Sequence, residues 1–244
     1  MTTICLPNYY ALSDYTAQQI VNTIKEKPNC TICMASGHTP AMTADLLVKK
    51  LQREKIDYST ITFLGLDEWA GLDSSNTGSC AYFFQQKIFK PLQLPSQQYH
   101  LFNALAADLQ QECAKMDALI SSNGGIDIMV VGIGMNGHIG FNEPGTPFDT
   151  LCHIATLDDT TKTVGQKYFS EHVKLQQGIT IGLGHLLQSK KAILMANGQK
   201  KAEVIYHTVH GTVSERFPAS VMQQHAAGFI ITDTAAASLL KKPA

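Results

Sequence analysis

The stretch Ile126-Asp127-Ile128-Met129-Val130-Val131 is followed directly by Gly132-Ile133-Gly134-Met135-Asn136-Gly137-His138. The first part is a short apolar run after the break at 123–125, which is typical of a strand buried on both faces. Similar runs alternate along the chain with segments of 3.6-residue apolar period, which indicates βα units around a parallel sheet. We therefore predict an α/β fold: a single three-layer domain over 1–244, with a mostly parallel Rossmann-like sheet and helices on both faces.

The remaining elements are predicted from the same two periodicities and from helix start and stop signals. No Pro, Gly or Ser run separates two blocks of composition, and no internal repeat is present, so one domain is expected. Strands are predicted at 31–35, 60–66, 126–131, 179–183, 192–196 and 228–232. Helices are predicted at 13–27 with Ser13 as cap, at 40–53 with Pro40 in the first turn, at 80–89, 108–121 and 200–208, and over the last dozen residues.

Composition excludes several classes of function. The chain has 244 residues, 44% of them hydrophobic and 16% charged, as in an ordinary globular protein. A net charge of −1 offers no electrostatic footprint for nucleic acid or for anionic lipid. Apolar runs are far shorter than the roughly 20 residues that cross a bilayer, and no basic and apolar leader opens the chain. We predict a cytoplasmic protein without nucleic-acid or membrane partners, either a monomer or a homo-oligomer.

The cysteines and histidines predict no metal or redox centre. Of the six cysteines, only Cys30 and Cys33 have a suggestive spacing. They fall on a predicted strand, where residues three apart point to opposite faces, whereas a redox pair normally begins a helix. We expect buried, reduced thiols. His207 and His210 share a helix face, but a metal site needs more ligands than that pair.

Ligands bind beyond the carboxyl ends of the strands in open parallel sheets, so the loops after the predicted strands are expected to meet there. The loop Ser36-Gly37-His38-Thr39 precedes a helix, and its backbone N–H groups, hydroxyls and helix dipole could hold a phosphate. It lacks the Gly-Lys-Ser/Thr of a Walker motif, and an ordinary turn is the alternative. Lys167 and Lys201 could supply positive charge for a sugar phosphate, or could be solvated surface lysines.

The glycines at 132, 134 and 137 match the spacing of a dinucleotide-binding fingerprint. That fingerprint opens a helix, whereas 138–144 continues as loop, so no dinucleotide cofactor is predicted. The loop instead leaves His138 and Glu143 free to form a pair in which the carboxylate orients and charges the imidazole. Asp67 lies at the end of another predicted strand and is a third titratable group at the same edge of the sheet. Alternatively, it is a helix cap or an ordinary surface carboxylate.

Three stretches together carry a family resemblance: Leu66-Asp67-Glu68-Trp69, Gly134-Met135-Asn136-Gly137-His138-Ile139-Gly140-Phe141-Asn142-Glu143-Pro144-Gly145 and Ser36-Gly37-His38-Thr39-Pro40. In order and spacing they resemble the signatures of the glucosamine-6-phosphate deaminase/isomerase family along nearly the whole chain. The resemblance implies ring opening of a 2-amino-2-deoxyhexose 6-phosphate, isomerisation to the ketose phosphate and loss of ammonia, without a cofactor. The first stretch, residues 77–80 and the short C-terminus look most like the galactosamine-6-phosphate isomerase branch.

The resemblance also implies roles for individual residues. His138 would move a proton between the ring oxygen and the anomeric hydroxyl, with Glu143 setting its orientation and charge. Asp67 would abstract the proton at C2 and return it at C1. Residues 36–39 and Lys201 would hold the phosphate, and Lys167 stands where relatives carry an arginine, so a point charge would replace a bidentate fork.

Two departures from the family pattern change what is expected. Asn136 stands where some members have an aspartate, so the catalytic support of His138 should depend mainly on Glu143. His153 and Ala155 stand where the hexameric members carry the basic pair of an allosteric phosphate site. We therefore expect no strong allosteric activation.

Two other functions remain as alternatives. A 6-phosphogluconolactonase resembles this fold and phosphate loop, but its pattern lacks the Phe-Asn-Glu-Pro continuation, and lactone hydrolysis needs only an activated water. A non-catalytic sugar-phosphate sensor would carry a helix pair that reads DNA, usually N-terminal, whereas the segment before Cys30 has room for one helix. Glucosamine 6-phosphate and galactosamine 6-phosphate are both candidate substrates, because one or two pocket contacts decide the configuration at C4.

Overall fold

The strand predicted at 126–131 lies in the middle of the main sheet of the computed structural model, which describes residues 1–240. The strands are β1 (Thr2–Leu6), β2 (Thr31–Met34), β3 (Thr62–Gly65), β4 (Asp67–Trp69), β5 (Tyr99–His100), β6 (Ile128–Val131), β7 (His153–Thr156), β8 (Gln177–Thr180), β9 (Ala192–Ala196) and β10 (Gly228–Asp233). Seven of them form one sheet in the order β1-β10-β9-β6-β2-β3-β5, and all neighbours are parallel. The predicted parallel α/β sheet is confirmed.

Helices connect the strands and cover both faces of the sheet. They are α1 (Tyr9–Glu26), α2 (His38–Arg53), α3 (Cys80–Phe84), α4 (Lys90–Leu92), α5 (Leu109–Ser122), α6 (Asp159–Gly165), α7 (Leu183–Gln188) and α8 (Ala202–His210). Single turns of 3-10 helix occur at Ser96–Gln98, Gln166–Tyr168 and Gln199–Lys201, a longer one at Pro218–Gln224, and a π-helical turn at Gln85–Phe89. No helix within 1–240 is long and apolar enough to cross a membrane.

Two hydrophobic cores fill the space between the three layers. One core joins the sheet to α1, α2 and α3, and the other joins it to α5, α7 and α8. Cys30 lies in the first core and Cys33 in the second, so the two thiols face opposite sides of the sheet. The expected divergence of these buried thiols is confirmed. The predicted domain span of 1–244 includes residues 241–244, which lie outside the described residues.

A second, three-stranded sheet corrects part of the predicted architecture. It has the order β4-β8-β7, and both pairs are antiparallel. The prediction of a strand at 179–183 is wrong in its bounds, because β8 ends at Thr180 and Leu183 already lies in α7. Gly182 makes this early turn possible, since a Cβ there would collide with the carbonyl oxygens of Thr150 and Leu151.

The predicted starts of two helices are also wrong. α1 begins at Tyr9, because the Asn8 side chain caps it by accepting a hydrogen bond from the Ala11 N–H at 2.9 Å, and Ser13 is buried inside the helix. α2 begins at His38, two residues before Pro40. Gly37 is its N-cap with a φ of 105°, a conformation that glycine adopts without strain.

The helix predicted at 80–89 and the one predicted over the last dozen residues differ as well. The first is α3 followed by the π-helical turn, which inserts an extra residue into the helical repeat. Residues 234–240 form consecutive turns, and the end of the second prediction lies outside the described residues. The sequence analysis did not predict β1, β4, β5 and β7, which are two to five residues long.

Candidate functional site

A cavity of about 370 Å³ lies beyond the carboxyl ends of the parallel strands. Residues after four of the predicted strands, within 36–40, 67–69 and 132–138 and at 201, contribute to its wall, so these loops meet at one edge as expected. The predicted site residues that line the cavity are Ser36, Gly37, His38, Thr39, Asp67, His138, Lys167 and Lys201. The other two, Asn136 and Glu143, lie behind the imidazole of His138, so their influence on a ligand would pass through that ring.

The loop 36–39 is held in one shape at the start of α2. The Tyr9 hydroxyl lies 2.7 Å from the carbonyl oxygen of His38 and accepts a hydrogen bond from the N–H of Met42 at 3.2 Å. The imidazole of His38 stacks on Tyr168, with ring centroids 5.2 Å apart. A Cβ at Gly37 would lie 3.0 Å from the hydroxyl of the same tyrosine. The N-terminal turn of α2 is therefore presented to the cavity, in the geometry that binds anions.

Two lysines bring positive charge to this cavity. Burial and, to a smaller extent, the charge of Lys167 together lower the pKa of Lys201 to about 8. Burial and the charge of Lys200 lower the pKa of Lys167. Lys201 donates to the carbonyl oxygen of Ile133 at 2.6 Å. Lys87 also lies in the cavity wall, but it is paired with Asp45 at 2.9 Å, whereas within 1–240 neither Lys167 nor Lys201 forms an ion pair with a carboxylate. A bound anion would offset the mutual repulsion of these positive charges and would raise the pKa values of Lys167 and Lys201.

Asp67 is the first residue of β4, where the chain leaves the main sheet. The preceding residue, Leu66, still bonds to the main sheet, since its N–H donates to the carbonyl oxygen of Met34 at 3.0 Å. Its own carbonyl oxygen accepts a hydrogen bond from the N–H of Ile181 at 2.9 Å. Burial raises the pKa of Asp67 to about 6, although a hydrogen bond from Cys80 and the charge of His138 act in the opposite direction. A carboxylate with this pKa is largely ionised at neutral pH and is a strong enough base for proton transfer.

Glu68 fixes the structure around Asp67. Its carboxylate is 2% exposed and accepts hydrogen bonds from the N–H groups of Trp69, Cys80 and Ala81 at 2.9, 3.0 and 2.7 Å. Burial raises the pKa of Glu68 to about 7, against the effect of these three bonds. Because the carboxylate ties β4 to the start of α3, the thiol of Cys80 lies 3.5 Å from Oδ1 of Asp67 and donates to it.

His138 is held from behind by two side chains. Its Nδ1 lies 2.9 Å from Oγ1 of Thr161 and 3.4 Å from Oε2 of Glu143. These contacts leave Nε2 free for a ligand and favour the tautomer with the proton on Nδ1. Gly134 makes room for the ring, since a Cβ at that position would collide with the imidazole.

Glu143 and Asn136 form the support of this histidine. Asn136 donates from Nδ2 to Oε2 of Glu143 at 3.0 Å, and its Oδ1 accepts from the backbone N–H of His138 at 3.2 Å. Burial alone would raise the pKa of Glu143, but hydrogen bonds from His138, Thr161 and Asn136, together with the charge of His138, lower it overall. The carboxylate is thus kept ionised behind the ring, where it stabilises an imidazolium.

The structure adds three residues to the site that the sequence analysis did not assign to it. Cys80 contacts Asp67, Thr161 contacts His138, and Tyr168 stacks on His38 in the wall of the cavity. Trp69 and Phe141, with ring centroids 4.6 Å apart, form a wall of the cavity. The chain after Gly137 continues without a helix to residue 152, so the predicted loop at 138–144 is confirmed.

The fold and this cavity define an α/β protein in which the N-terminus of α2, Lys167 and Lys201 lie in one cavity with a carboxylate and a supported imidazole. The chain belongs to the family of glucosamine-6-phosphate isomerases and 6-phosphogluconolactonases, whose sequence model matches residues 9–231.

Relatives in this family cover nearly the whole chain. A glucosamine-6-phosphate deaminase of Oceanobacillus iheyensis is 37% identical over 237 residues, which are 97% of this chain and 95% of the relative. A glucosamine-6-phosphate deaminase of Thermoanaerobacter pseudethanolicus is 36% identical over 241 residues, 98% and 95% of the two chains. A solved structure of a monomeric glucosamine-6-phosphate deaminase superposes with a TM-score of 0.94 at 35% identity, over 98% of this chain and 100% of the other. The 6-phosphogluconolactonase of Trypanosoma brucei shares the fold, with a TM-score of 0.78 at 18% identity over 98% of each chain.

Proposed function

We propose that this protein is an amino-sugar-6-phosphate deaminase/isomerase. It converts glucosamine 6-phosphate or galactosamine 6-phosphate to the ketohexose 6-phosphate and ammonia. The observation that carries this proposal is the presence of Asp67, with its pKa raised to about 6, and the supported imidazole of His138 in one cavity with two lysines. Relatives that are 36–38% identical and are named glucosamine-6-phosphate deaminases support the same reaction.

Ring opening is the first step, and His138 carries it. Its Nε2 takes the proton of the anomeric hydroxyl and delivers a proton to the ring oxygen as the bond between C1 and that oxygen breaks. The imidazole is positively charged between these two transfers. Glu143, at 3.4 Å from Nδ1, stabilises that charge, and Thr161 at 2.9 Å keeps the ring aligned.

Isomerisation and loss of ammonia follow, and Asp67 carries the proton. In the open-chain amino aldehyde its carboxylate takes the proton from C2, which the neighbouring carbonyl has made acidic. The oxygen at C1 takes a proton from the ammonium group at C2, which gives a neutral enolamine. Asp67 then returns its proton to C1, so C1 becomes an alcohol and C2 an iminium. Water adds to C2 and ammonia leaves, which gives the ketose. Proton transfer by groups of this chain is sufficient for every step.

The phosphate of the substrate is bound at the start of α2 in this proposal. Backbone N–H groups of 37–39 and the side chains of Ser36 and Thr39 supply hydrogen bonds, and Lys167 and Lys201 supply charge.

Ammonia release tests the proposed function directly. Purified protein is given glucosamine 6-phosphate and, separately, galactosamine 6-phosphate, and ammonia and ketose phosphate are measured in parallel. We expect equal amounts of both products from at least one sugar, and the ratio of the two kcat/KM values identifies the preferred configuration at C4. If neither sugar is turned over while 6-phosphogluconolactone is hydrolysed, the deaminase proposal fails in favour of the lactonase.

Replacing Cys80 with alanine is expected to shift the acidic limb of the pH profile of kcat/KM to higher pH. The thiol donates to Oδ1 of Asp67 at 3.5 Å and favours the ionised carboxylate, so its removal raises the pKa of Asp67. A shift of roughly half a pH unit is reasonable for a weak S–H donor. Cys80→Ser restores a donor and should reduce the shift, and the exposed Cys5→Ala is the matched control. A limb that stays in place in Cys80→Ala contradicts the role of the thiol.

A further inference from the structure

A second cavity, of about 410 Å³, shares no lining residue with the first. It lies between the C-terminal half of α5, the segment before β7 and helix α7. Asp117 and His185 are part of its wall, and Cys152 follows Leu151, another wall residue. The function proposed above uses none of these side chains.

Asp117, Cys152 and His185 converge at this cavity. Nε2 of His185 lies 2.7 Å from Oδ1 of Asp117, and the backbone N–H of Cys152 donates to the same oxygen at 3.0 Å. One oxygen, one sulfur and one nitrogen atom from the three side chains all lie within 4.8 Å of one another. Two ligands of a tetrahedral zinc ion are roughly 3–4 Å apart, given bonds of about 2.0–2.3 Å, so small side-chain movements suffice to close such a site.

The backbone around the three residues is well anchored. Gly184, beside His185, donates its N–H to the carbonyl oxygen of Thr150 at 2.8 Å, which joins the start of α7 to the segment that carries Cys152. His185 and Cys152 are 7% and 6% exposed, whereas the side chain of Asp117 is 26% exposed towards the cavity. The site is therefore pre-formed, with one open side.

We propose that Asp117, Cys152 and His185 bind one zinc-type divalent cation, with the fourth ligand position open to the cavity. The donor set decides the class of ion: calcium and magnesium take oxygen ligands, whereas thiolate, imidazole and carboxylate together suit zinc and cobalt. On binding, bonds to the ion replace the contact between His185 and Asp117. The ligating nitrogen of His185 gives up its proton, to the other ring nitrogen or to solvent, and the thiol of Cys152 releases its proton to solvent.

Such an ion would stabilise the fold rather than act on the sugar. It would join α5, α7 and the segment before β7, which all contribute residues to the second hydrophobic core. Ions that bind the folded state alone raise the melting temperature in proportion to the logarithm of their free concentration. The sequence analysis predicted no metal site, because these residues lie more than thirty positions apart and form no motif.

Cobalt(II) titration of the metal-stripped, full-length protein tests the proposal. We expect one cobalt ion per chain, a near-ultraviolet band from thiolate-to-cobalt charge transfer, visible bands of tetrahedral intensity, and loss of all of them when zinc is added. Zinc should also raise the melting temperature. A featureless cobalt spectrum, or a spectrum without the thiolate band, overturns the proposal.

Variants identify the ligands. Cys152→Ser should abolish the thiolate band, and His185→Gln should weaken cobalt binding by on the order of 100-fold or more, since even an outer-shell partner is worth 10–100-fold. Far-ultraviolet circular dichroism shows whether each variant is folded, and either folded variant decides the question. The exposed Cys5→Ser and His210→Gln are matched controls that should bind cobalt unchanged. A band that survives Cys152→Ser, or that disappears in a control, contradicts the assignment. These readouts are independent of deaminase activity.

Discussion

Asp67→Asn is expected to lower kcat by roughly 10³-fold or more, within the upper range of general acid–base contributions, while KM changes little. Asparagine keeps the size of the side chain and an oxygen that accepts the hydrogen bond from Cys80, but it takes no proton from C2. Phosphate binding at the start of α2 is left intact. The loss should therefore appear in kcat rather than in KM.

Two measurements separate a proton-transfer role of Asp67 from a structural one. In deuterated solvent, the natural protein should place deuterium at C1 of the ketose, and the variant should not exchange the C2 proton of the bound substrate. The wild-type kcat/KM should fall as the pH drops below about 6, because protonation of Asp67, whose pKa is raised to about 6, removes the base. Asp57→Asn, in an exposed loop, is the control for the substitution itself. Activity within tenfold of the wild type would disprove the assignment of Asp67 as the base.

Sequence patterns predicted the strands that are marked by a continuous apolar run along the chain. Within the predicted runs at 126–131 and 192–196, residues 128–131 and 192–196 are continuous apolar segments, and both form strands of the parallel sheet. The second sheet was missed because β4 and β7 are three and four residues long and contain no continuous apolar run, so that only β8 was predicted as a strand, with other bounds. Helix starts depend on single capping residues, and Asn8 and Gly37 supply caps that the apolar periodicity does not reveal.

The candidate site likewise contains residues that the sequence predicted and residues that it did not. Asp67 lies two residues after the end of β3, and His138 lies in the loop that follows β6, so the rule that loops meet at the carboxyl edge was sufficient to bring them together. Thr161 and Cys80 reach them from α6 and α3, and these contacts exist only once the second sheet and the bonds of Glu68 place those helices. No spacing along the chain indicates such contacts. The part of the site that lies on strand-end loops, including Glu143 behind His138, was therefore predictable, whereas Thr161 and Cys80, which reach it from other helices, were not.

His138→Gln should produce a second large effect, with a different signature. We expect a loss of about 10²–10⁴-fold in kcat/KM on the ring form of the substrate, since glutamine occupies a similar position but does not exchange protons. Because Asp67 acts only after the ring has opened, the variant should recover much of its activity on an open-chain analogue. A 5-deoxy derivative of the amino-sugar phosphate serves here, because it lacks the hydroxyl that closes the six-membered ring.

Glu143, which lies behind the imidazole of His138, predicts a smaller loss of activity with the same signature. Glu143→Gln keeps an oxygen near Nδ1 of His138 but removes the charge that stabilises the imidazolium, so it should show a smaller loss on the ring form and the same recovery on the 5-deoxy analogue. His210→Gln, at an exposed position of α8, should match the wild type on both substrates. Equal losses of His138→Gln on the two substrates would place His138 in the isomerisation step and not in ring opening. Full activity on the ring form would remove it from the mechanism.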